Sequence, residues 1–416
     1  MSTVDAFAAL RVPFVRAFAL ARLMSFGGQV ILSIAVGWEL YERTGSAWSL
    51  GLVGAFELAP VLLLMVVAGN AADRYPRRNI VMLAHGILVL ASAGLATIAW
   101  TNGPVDAIYF MLVLVGVARA FSSPSFGTIL PQLLKPEQFI NANAWVSSAG
   151  QFAAVAGPAL GGMIIAASGG AGWAFVAVGF SQLSVILALL RLPAIPPPQH
   201  DPESRRSPGQ IYAGFGFIRR NPLFLSAITL DLFAVLLGGA VALLPIYAKD
   251  ILAIGPAGLG WLRTAPSIGS LATALAVTHL PPWRHPGRAM LIAVAGFGLA
   301  TIGFGLSHNM ILSLVCLFLT GACDSISVVV RVTLEQVITP DRLRGRVSAI
   351  NYVFIGFSNE FGMVRAGATA AIFGPVASVV GGGIGSLLVV AIVALAWPQL
   401  PRVGPLHTLK PVEEPA

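Results

Sequence analysis

The sequence predicts an all-α membrane protein, with twelve transmembrane helices in two six-helix pseudo-repeats. Three observations carry that prediction. Of 416 residues, 56% are hydrophobic and 10% charged, and the mean hydropathy is +0.84. A water-soluble domain carries about 25% charged residues, so lipid is the solvent this chain is built for. Apolar runs of the length that crosses a bilayer, about 20 residues, recur from Arg16 to Pro398 with short polar breaks. The longest polar break falls mid-chain, leaving six runs on either side.

In order, the first half holds spans 16–41, 49–69, 80–100, 107–130, 142–167 and 173–191, and the second half 223–247, 258–280, 289–307, 310–337, 347–371 and 376–397. The first run is too long for a signal-peptide core and no small-residue cleavage site follows it, so it is expected to be a retained helix. The expected organisation is an N-terminal bundle over 1–192, a cytoplasmic linker over 193–221, a C-terminal bundle over 222–400 and a cytoplasmic tail over 401–416. The linker contains Pro196-Pro197-Pro198 and Arg219-Arg220, and Ile211, Phe215 and Ile218 share one helical face, which suits a segment lying on the leaflet as well as a plain loop.

Orientation follows from the basic residues, which stay on the cytoplasmic side. With both termini inside, Arg11, Arg16, Arg74, Arg77, Arg78, Lys135, Arg191, Arg205, Arg206, Arg219, Arg220, Arg284, Arg288, Arg342, Arg344, Arg346, Arg402 and Lys410 are cytoplasmic, and only Arg43 and Lys249 are outside. The net charge of +8 is therefore a topology signal and no sign of nucleic-acid binding. A bacterial inner membrane is the expected location. Cys316 and Cys323 sit in one span and suggest neither a disulfide framework nor a metal site.

The halves look like repeats. A shift of about 204 residues lays Gly116, Arg119 and Pro136-Glu137 on Gly321, Asp324 and Pro340-Asp341. Parallel repeats joined by a long cytoplasmic loop place a substrate cavity between halves near the midplane. The first, fourth, seventh and tenth spans are then expected to line it.

After the second span comes Gly69-Asn70-Ala71-Ala72-Asp73-Arg74-Tyr75-Pro76-Arg77-Arg78. The glycine would let two helices approach, and the Asp73 carboxylate can bind arginines or the positive end of a helix. Arg344 and Arg346 are candidate partners. The simpler reading is that Arg74, Arg77 and Arg78 merely hold the loop inside. This loop closely resembles the signature loop of the major facilitator superfamily. That resemblance implies the major facilitator fold and a conformational latch at Gly69, Asp73, Arg74, Arg77 and Arg78.

In the fifth span, Gly157-Pro158-Ala159-Leu160-Gly161-Gly162 resembles the glycine-proline signature of exporters and antiporters in that superfamily. Small residues permit close packing, and proline opens the backbone ladder so that the segment can bend or seal. Trp38-Glu39-Leu40-Tyr41, Thr44-Gly45-Ser46, the stretch from Leu230-Asp231-Leu232-Phe233 to Pro245, Leu192 to Pro198 and Gly345-Arg346-Val347-Ser348 resemble the enterobactin-exporter branch. One departure stands out. Where the resemblance leads one to expect acids after Ser358-Asn359-Glu360-Phe361-Gly362, this chain has Met363-Val364-Arg365.

An ionised side chain near the bilayer centre costs at least ~2.5–3.5 kcal/mol, so each one is a functional candidate. The set is Glu57, Arg119, Asp231, Arg263, Asp324, Arg331, Glu335, Glu360 and Arg365. Asp231, on an expected cavity-lining helix, is the first choice for a proton site, with Glu57 and Asp324 as the alternatives, and Glu360 and Arg365 join them and Arg119 as candidate proton- or substrate-binding residues. Arg119 is placed to tune a neighbouring acid or bind an anion. Arg331 and Glu335, four apart, can neutralise each other. Glu360 and Arg365 are too far around a helix to pair. Glu57 and Glu39 are exit-side candidates, and Trp38, Tyr41, Trp100 and Trp261 fit interfacial anchoring.

The expected function is secondary active transport, namely proton-coupled export of a small organic molecule, a siderophore or drug-like metabolite, by a monomer in lipid. No cofactor and no metal are expected. A membrane-embedded enzyme is the first rival, but His85, His200, His279, His285, His308 and His407 are scattered and no nucleophile motif or phosphate loop is present. Metal-ion efflux, lipid movement and uptake are rivals within the transporters, and metal is disfavoured by the lack of a Cys, His or Met cluster in the spans.

Overall fold

A computed structural model describes residues 7–134, 136–193, 215–281 and 283–408. Among these residues twelve long helices follow one another. They are α1 Pro13–Thr44, α2 Ala47–Arg74, α3 Arg77–Thr101, α4 Val105–Phe126, α5 Pro136–Ser168, α6 Gly172–Leu190, α7 Pro222–Gly238, α8 Gly255–His279, α9 Pro286–Gly305, α10 Met310–Ile338, α11 Asp341–Phe373 and α12 Pro375–Ala396. Ten stretches are long and apolar enough to cross a membrane; α8 and α11 fall short of that measure. Both carry several polar groups, Arg263, Thr264 and His279 in α8, and Arg342, Arg344, Arg346, Asn351, Glu360 and Arg365 in α11.

Local chemistry sets the ends. Gly45, at φ 58°, stops α1 in the left-handed conformation, its N–H donating to the Tyr41 carbonyl. The Asn221 side chain accepts from the Phe224 N–H with Pro222 at the first helical position of α7. Asn309 caps α10, accepting from the Ile311 and Leu312 amides at 2.9 and 3.2 Å. The helices run past the apolar stretches because hydropathy marks only the part in hydrocarbon, while the backbone ladder continues outside it.

Two departures concern helix continuity. The ten-residue motif is mostly helix: α2 runs through Asp73 to Arg74 and α3 starts at Arg77, leaving Tyr75-Pro76 as the turn. The seventh span is broken. Regular helix ends at Gly238, Gly239 and Ala240 are non-helical, and a 3₁₀ turn, a short α turn and a π turn carry the chain to Ile251. Gly238-Gly239 removes side-chain support for the helix and Pro245 removes a backbone donor, so the ladder cannot continue.

The chain divides into two compact units. One comprises Met1–Gly45, Val53–His200 and Tyr247–Thr264; the other comprises Ser46–Leu52, Asp201–Ile246 and Ala265–Ala416. In the first, α1 packs on α5 and α6, and α3 on α4 and α6. In the second, α7 packs on α11 and α12, and α9 on α10 and α12, the same pairings six helices later. A core of Val15, Phe18, Phe126, Ile129, Val185 and Leu189 lies in the first unit, and one of Phe224, Leu230, Met290, Val330 and Leu334 in the second.

Of the linker, 194–214 lies outside the described residues, and so does Ile211; residues 215–220 are helical, with Ile218 buried and Phe215 exposed. Residues 409–416 of the expected tail, Lys135, Arg205, Arg206 and Lys410 also lie outside them. The anchoring residues divide. Trp100 and Trp261 are exposed, whereas Trp38 and Tyr41 are buried inside the protein. Interfacial anchoring therefore does not describe Trp38 and Tyr41, whose rings fill the packing around α1.

Candidate functional site

Each unit holds an ion pair inside its helices. In the second, Arg331 of α10 and Asp231 of α7 form an ion pair, with 4% and 6% of their side chains exposed. The expected pairing of Arg331 with Glu335 is not made. Glu335 instead accepts from Ser348 Oγ and from Asn351 Nδ2, the latter at 2.8 Å. Four-residue spacing permits the intrahelical pair, but α7 presents a carboxylate to Arg331 and α11 presents two neutral donors to Glu335.

Asp324 lies two helical turns before Arg331 on α10. It lines a small cavity together with Asp231, Ala234 and Val235 of α7, Val294 and Phe297 of α9, and Cys323 and Ser327 of α10. The cavity therefore lies inside the helix packing of this unit. Three of the residues singled out in the sequence, Asp231, Asp324 and Arg331, are brought together here.

In the first unit, Glu57 of α2 and Arg119 of α4 form an ion pair. Gly116, one turn before Arg119, makes it possible. A Cβ on Gly116 would stand 2.5 Å from the Glu57 carbonyl oxygen and 3.0 Å from Pro60 Cγ. Only hydrogen fits between α4 and α2 at that level. The second repeat reproduces the crossing, since a Cβ on Gly321 of α10 would stand 2.7 Å from Pro266 Cα of α8. Gly54-x-x-Glu57-x-x-Pro60 in α2 matches Gly260-x-x-Arg263-x-x-Pro266 in α8, with the charged position reversed in sign. Arg119 and Asp324 are reversed in the same way.

Arg365 has a place of its own. Its Nε donates to the Leu236 carbonyl at 2.9 Å, in the last turn of α7 before the break. Ser386 of α12 donates to the Ala234 carbonyl at 3.0 Å. The Leu236 carbonyl, released by the break, is thus served by α11, while α12 adds a donor to a carbonyl still within the helical ladder. The base that replaces an expected acid has a backbone partner that an acid could not serve. A hydrogen bond from a charged donor contributes about 1.5–3 kcal/mol. Arg365→Leu is expected to lower thermal stability in detergent by an amount in that range, and Arg365→Gln, which retains a donor, by less. Equal melting temperatures for the two variants would rule this role out. Glu360, 9% exposed, is on the same helix and has no part in that contact.

The latch motif is distributed. Arg78 donates to the Leu192 and Leu190 carbonyls at 3.1 and 3.2 Å, capping the end of α6. Asp73 and Arg77 are half-buried and Arg74 exposed. A Cβ placed on Gly69 meets no described atom within 4 Å in its own unit. Arg344 is held by Asp341 at 2.7 Å and by the Gln336 carbonyl. The glycine-proline motif faces two ways. Gly157 and Gly161 pack on Val30 and Ile31 of α1, while a Cβ on Gly162 would stand 2.9 Å from Gly260 Cα; Pro158 lies within α5 between these contacts.

Several contacts were not among those expected from the sequence, although the four-residue spacing of Glu39 and Arg43 signals their pair. Glu39, an exit-side candidate, pairs with Arg43 at 2.5 Å, and Arg43 also donates to the Gly103, Ile98 and Ala99 carbonyls. Tyr41 Oη donates to Asp250. Arg22 lies over the rings of Phe26 and Phe126, with Phe26 one turn along the same helix as the available signal. Arg263 donates to Ser33 Oγ at 3.4 Å. Ser327 carried no signal, being an ordinary hydroxyl in an apolar run.

Twelve long helices in two matching sets, with charged pairs held inside them, make the fold of a polytopic membrane protein. Solved structures of membrane transporters share the fold. A bacterial homolog of the human lysosomal transporter Spinster, inward-facing and occupied, matches at TM-score 0.71 and 16% identity, over 93% of this chain and 96% of that one. A D-xylose-proton symporter matches at TM-score 0.68 and 14% identity, over 93% and 97%. In sequence, the enterobactin exporter EntS of Shigella boydii serotype 18 is 29% identical over 392 residues, 94% of this chain and 93% of that protein. The family model described as transmembrane secretion effector matches residues 4–413. The chain belongs to the transmembrane secretion effector family, and it is a multi-pass membrane transporter of the major facilitator type rather than an enzyme.

Proposed function

We propose that this protein is a proton-coupled exporter of a small organic molecule of the siderophore or drug-like class, working by alternating access in a bacterial inner membrane with both termini cytoplasmic. The observation that carries the reading is the buried group of Asp231, Arg331 and Asp324: the two acids line a cavity walled by α7, α9 and α10, and the base is paired with one of them. With both acids ionised the three groups carry one net negative charge, and with one proton bound they carry none. An uncompensated charge in such surroundings is costly, so a proton is the natural cargo of the group. Export is supported by the glycine-proline motif and by the likeness to enterobactin exporters. Asp73 and the arginines around it serve as the cytoplasmic latch, and Glu57 with Arg119 ties α2 to α4 during the movement.

The test uses purified protein in liposomes with a pH-sensitive dye inside. An enterobactin gradient, or an ethidium gradient as the organic-cation probe, is expected to move protons in the opposite direction, and Asp231→Asn is expected to abolish that movement. Proton movement unchanged in Asp231→Asn would remove Asp231 from the coupling site. Transport of either probe that ignores an imposed pH gradient would exclude proton coupling.

A further inference from the structure

Resting on the proton-coupled reading, the geometry assigns unequal duties to the two acids: we propose that Asp324 carries the transported proton, Asp231 serves as the fixed counter-charge of Arg331, and Ser327 with one water links them. Asp231 has its guanidinium in contact. Asp324 shares the cavity lining with Asp231, and among the described residues no ion-pair partner is in contact with it. Ser327 Oγ supplies a separate observation. The residue is 1% exposed, lines the same cavity, and its hydroxyl has no hydrogen-bond partner among the described residues. Arg331 Nε is likewise buried without a partner.

On α10, Ser327 lies three residues from Asp324 and four from Arg331, on the helix face between them. The cavity has room for roughly one water molecule. A buried hydroxyl, two carboxylates and one water's space give that water the two to four polar partners it needs. With Val294 and Phe297 in its lining and room for about one water, the site takes a proton and its water and excludes an organic substrate.

Cys323 is the other ionisable group lining the cavity, and Glu360 on α11, 9% exposed, is not among its lining residues. Residues 265–278 of α8 and all of α12 carry no ionisable side chain. In α9 the only one is Arg288, which donates to the Pro401 carbonyl at 3.0 Å. On α11, Arg365 is committed to Leu236, and Glu335 on α10 is committed to α11.

The step balances simply. With Asp324 protonated, Asp231 and Arg331 neutralise each other. When the Asp324 O–H bond breaks, its proton passes through the bridging water to bulk water on the open side and the bridging water is left neutral; this leaves a second carboxylate two turns from the same guanidinium, and the two acids compete for it. That competition loosens the tie between α7 and α10, linking proton release to helix movement.

Infrared difference spectra of the full-length protein in liposomes, taken between acid and alkaline buffer, test the assignment. The wild type should show a carboxylic-acid C=O band that disappears on alkalinisation. Asp324→Asn should lack it and Asp324→Glu should restore it at a shifted position, which also shows that the fold survives. Ser327→Ala should move the band, because the acid loses a hydrogen-bonding neighbour. A band that persists in Asp324→Asn, or stays unmoved in Ser327→Ala, overturns the assignment. The dye experiment fails separately: absence of substrate-driven proton movement in the wild type sinks the coupling itself, whatever the spectra show.

Discussion

Replacing Arg331 with methionine is expected to be among the most damaging single changes in this protein. The guanidinium is 4% exposed and holds a carboxylate that is 6% exposed, so its removal leaves Asp231 as a buried charge without its partner. Breaking a buried pair from one side typically costs about 3–5 kcal/mol, because the surviving charge keeps its desolvation penalty and loses its compensation. The thermal midpoint in detergent should drop sharply and transport should cease. Asp231→Leu combined with Arg331→Met removes both charges from this apolar setting, and stability should return close to wild type. Transport coupled to protons should not return with it. If the double variant is as unstable as the single one, loss of packing is responsible and the electrostatic account is wrong.

The second large effect is expected at Gly116. Leucine there must place its Cβ about where the Glu57 carbonyl and the Pro60 ring already stand, 2.5 and 3.0 Å away. One of these atoms is backbone and the other belongs to a closed ring, so neither yields by a rotamer change. Helix α4 must move off α2, and Arg119 is carried away from Glu57. Overpacking of this kind costs typically about 1–3 kcal/mol, and substrate efflux, read as uptake into inverted vesicles, should be lost. Gly86→Ala in α3 is the control, because a Cβ on Gly86 meets nothing within 4 Å. Normal efflux with Gly116→Leu would show that α2 and α4 do not need this crossing.

How much of this was legible in the sequence depends on which physical quantity each feature obeys. Span positions follow transfer free energy, which is additive along the chain, so the twelve helices appear nearly where their apolar runs lie. The repeat was legible because Gly116 and Gly321 make the same contact in each half. Pairings were not legible, since they depend on how each helix is rotated and on which neighbour faces it. Arg331 looked equally able to meet Glu335 on its own helix, and only folding brings Asp231 from a hundred residues upstream. Trp38 fitted the aromatic belt by depth, but depth does not distinguish a ring turned toward lipid from one turned inward. The break in α7 was present in Gly238-Gly239 and Pro245, yet in an apolar stretch those residues leave hydropathy almost unchanged.

That break has an electrostatic corollary. A helix that stops partway across the bilayer brings the negative pole of its peptide dipoles, about half an elementary charge, into low dielectric instead of delivering it to water. Arg365 is the tethered counter-ion at that pole. An acidic side chain in its place would face the pole with charge of the same sign and would need an intervening cation or an unbroken helix. The sign of residue 365 and the shape of α7 are therefore tied: a relative that carries an acid there is expected to differ in the course of its seventh helix as well as in the composition of its eleventh.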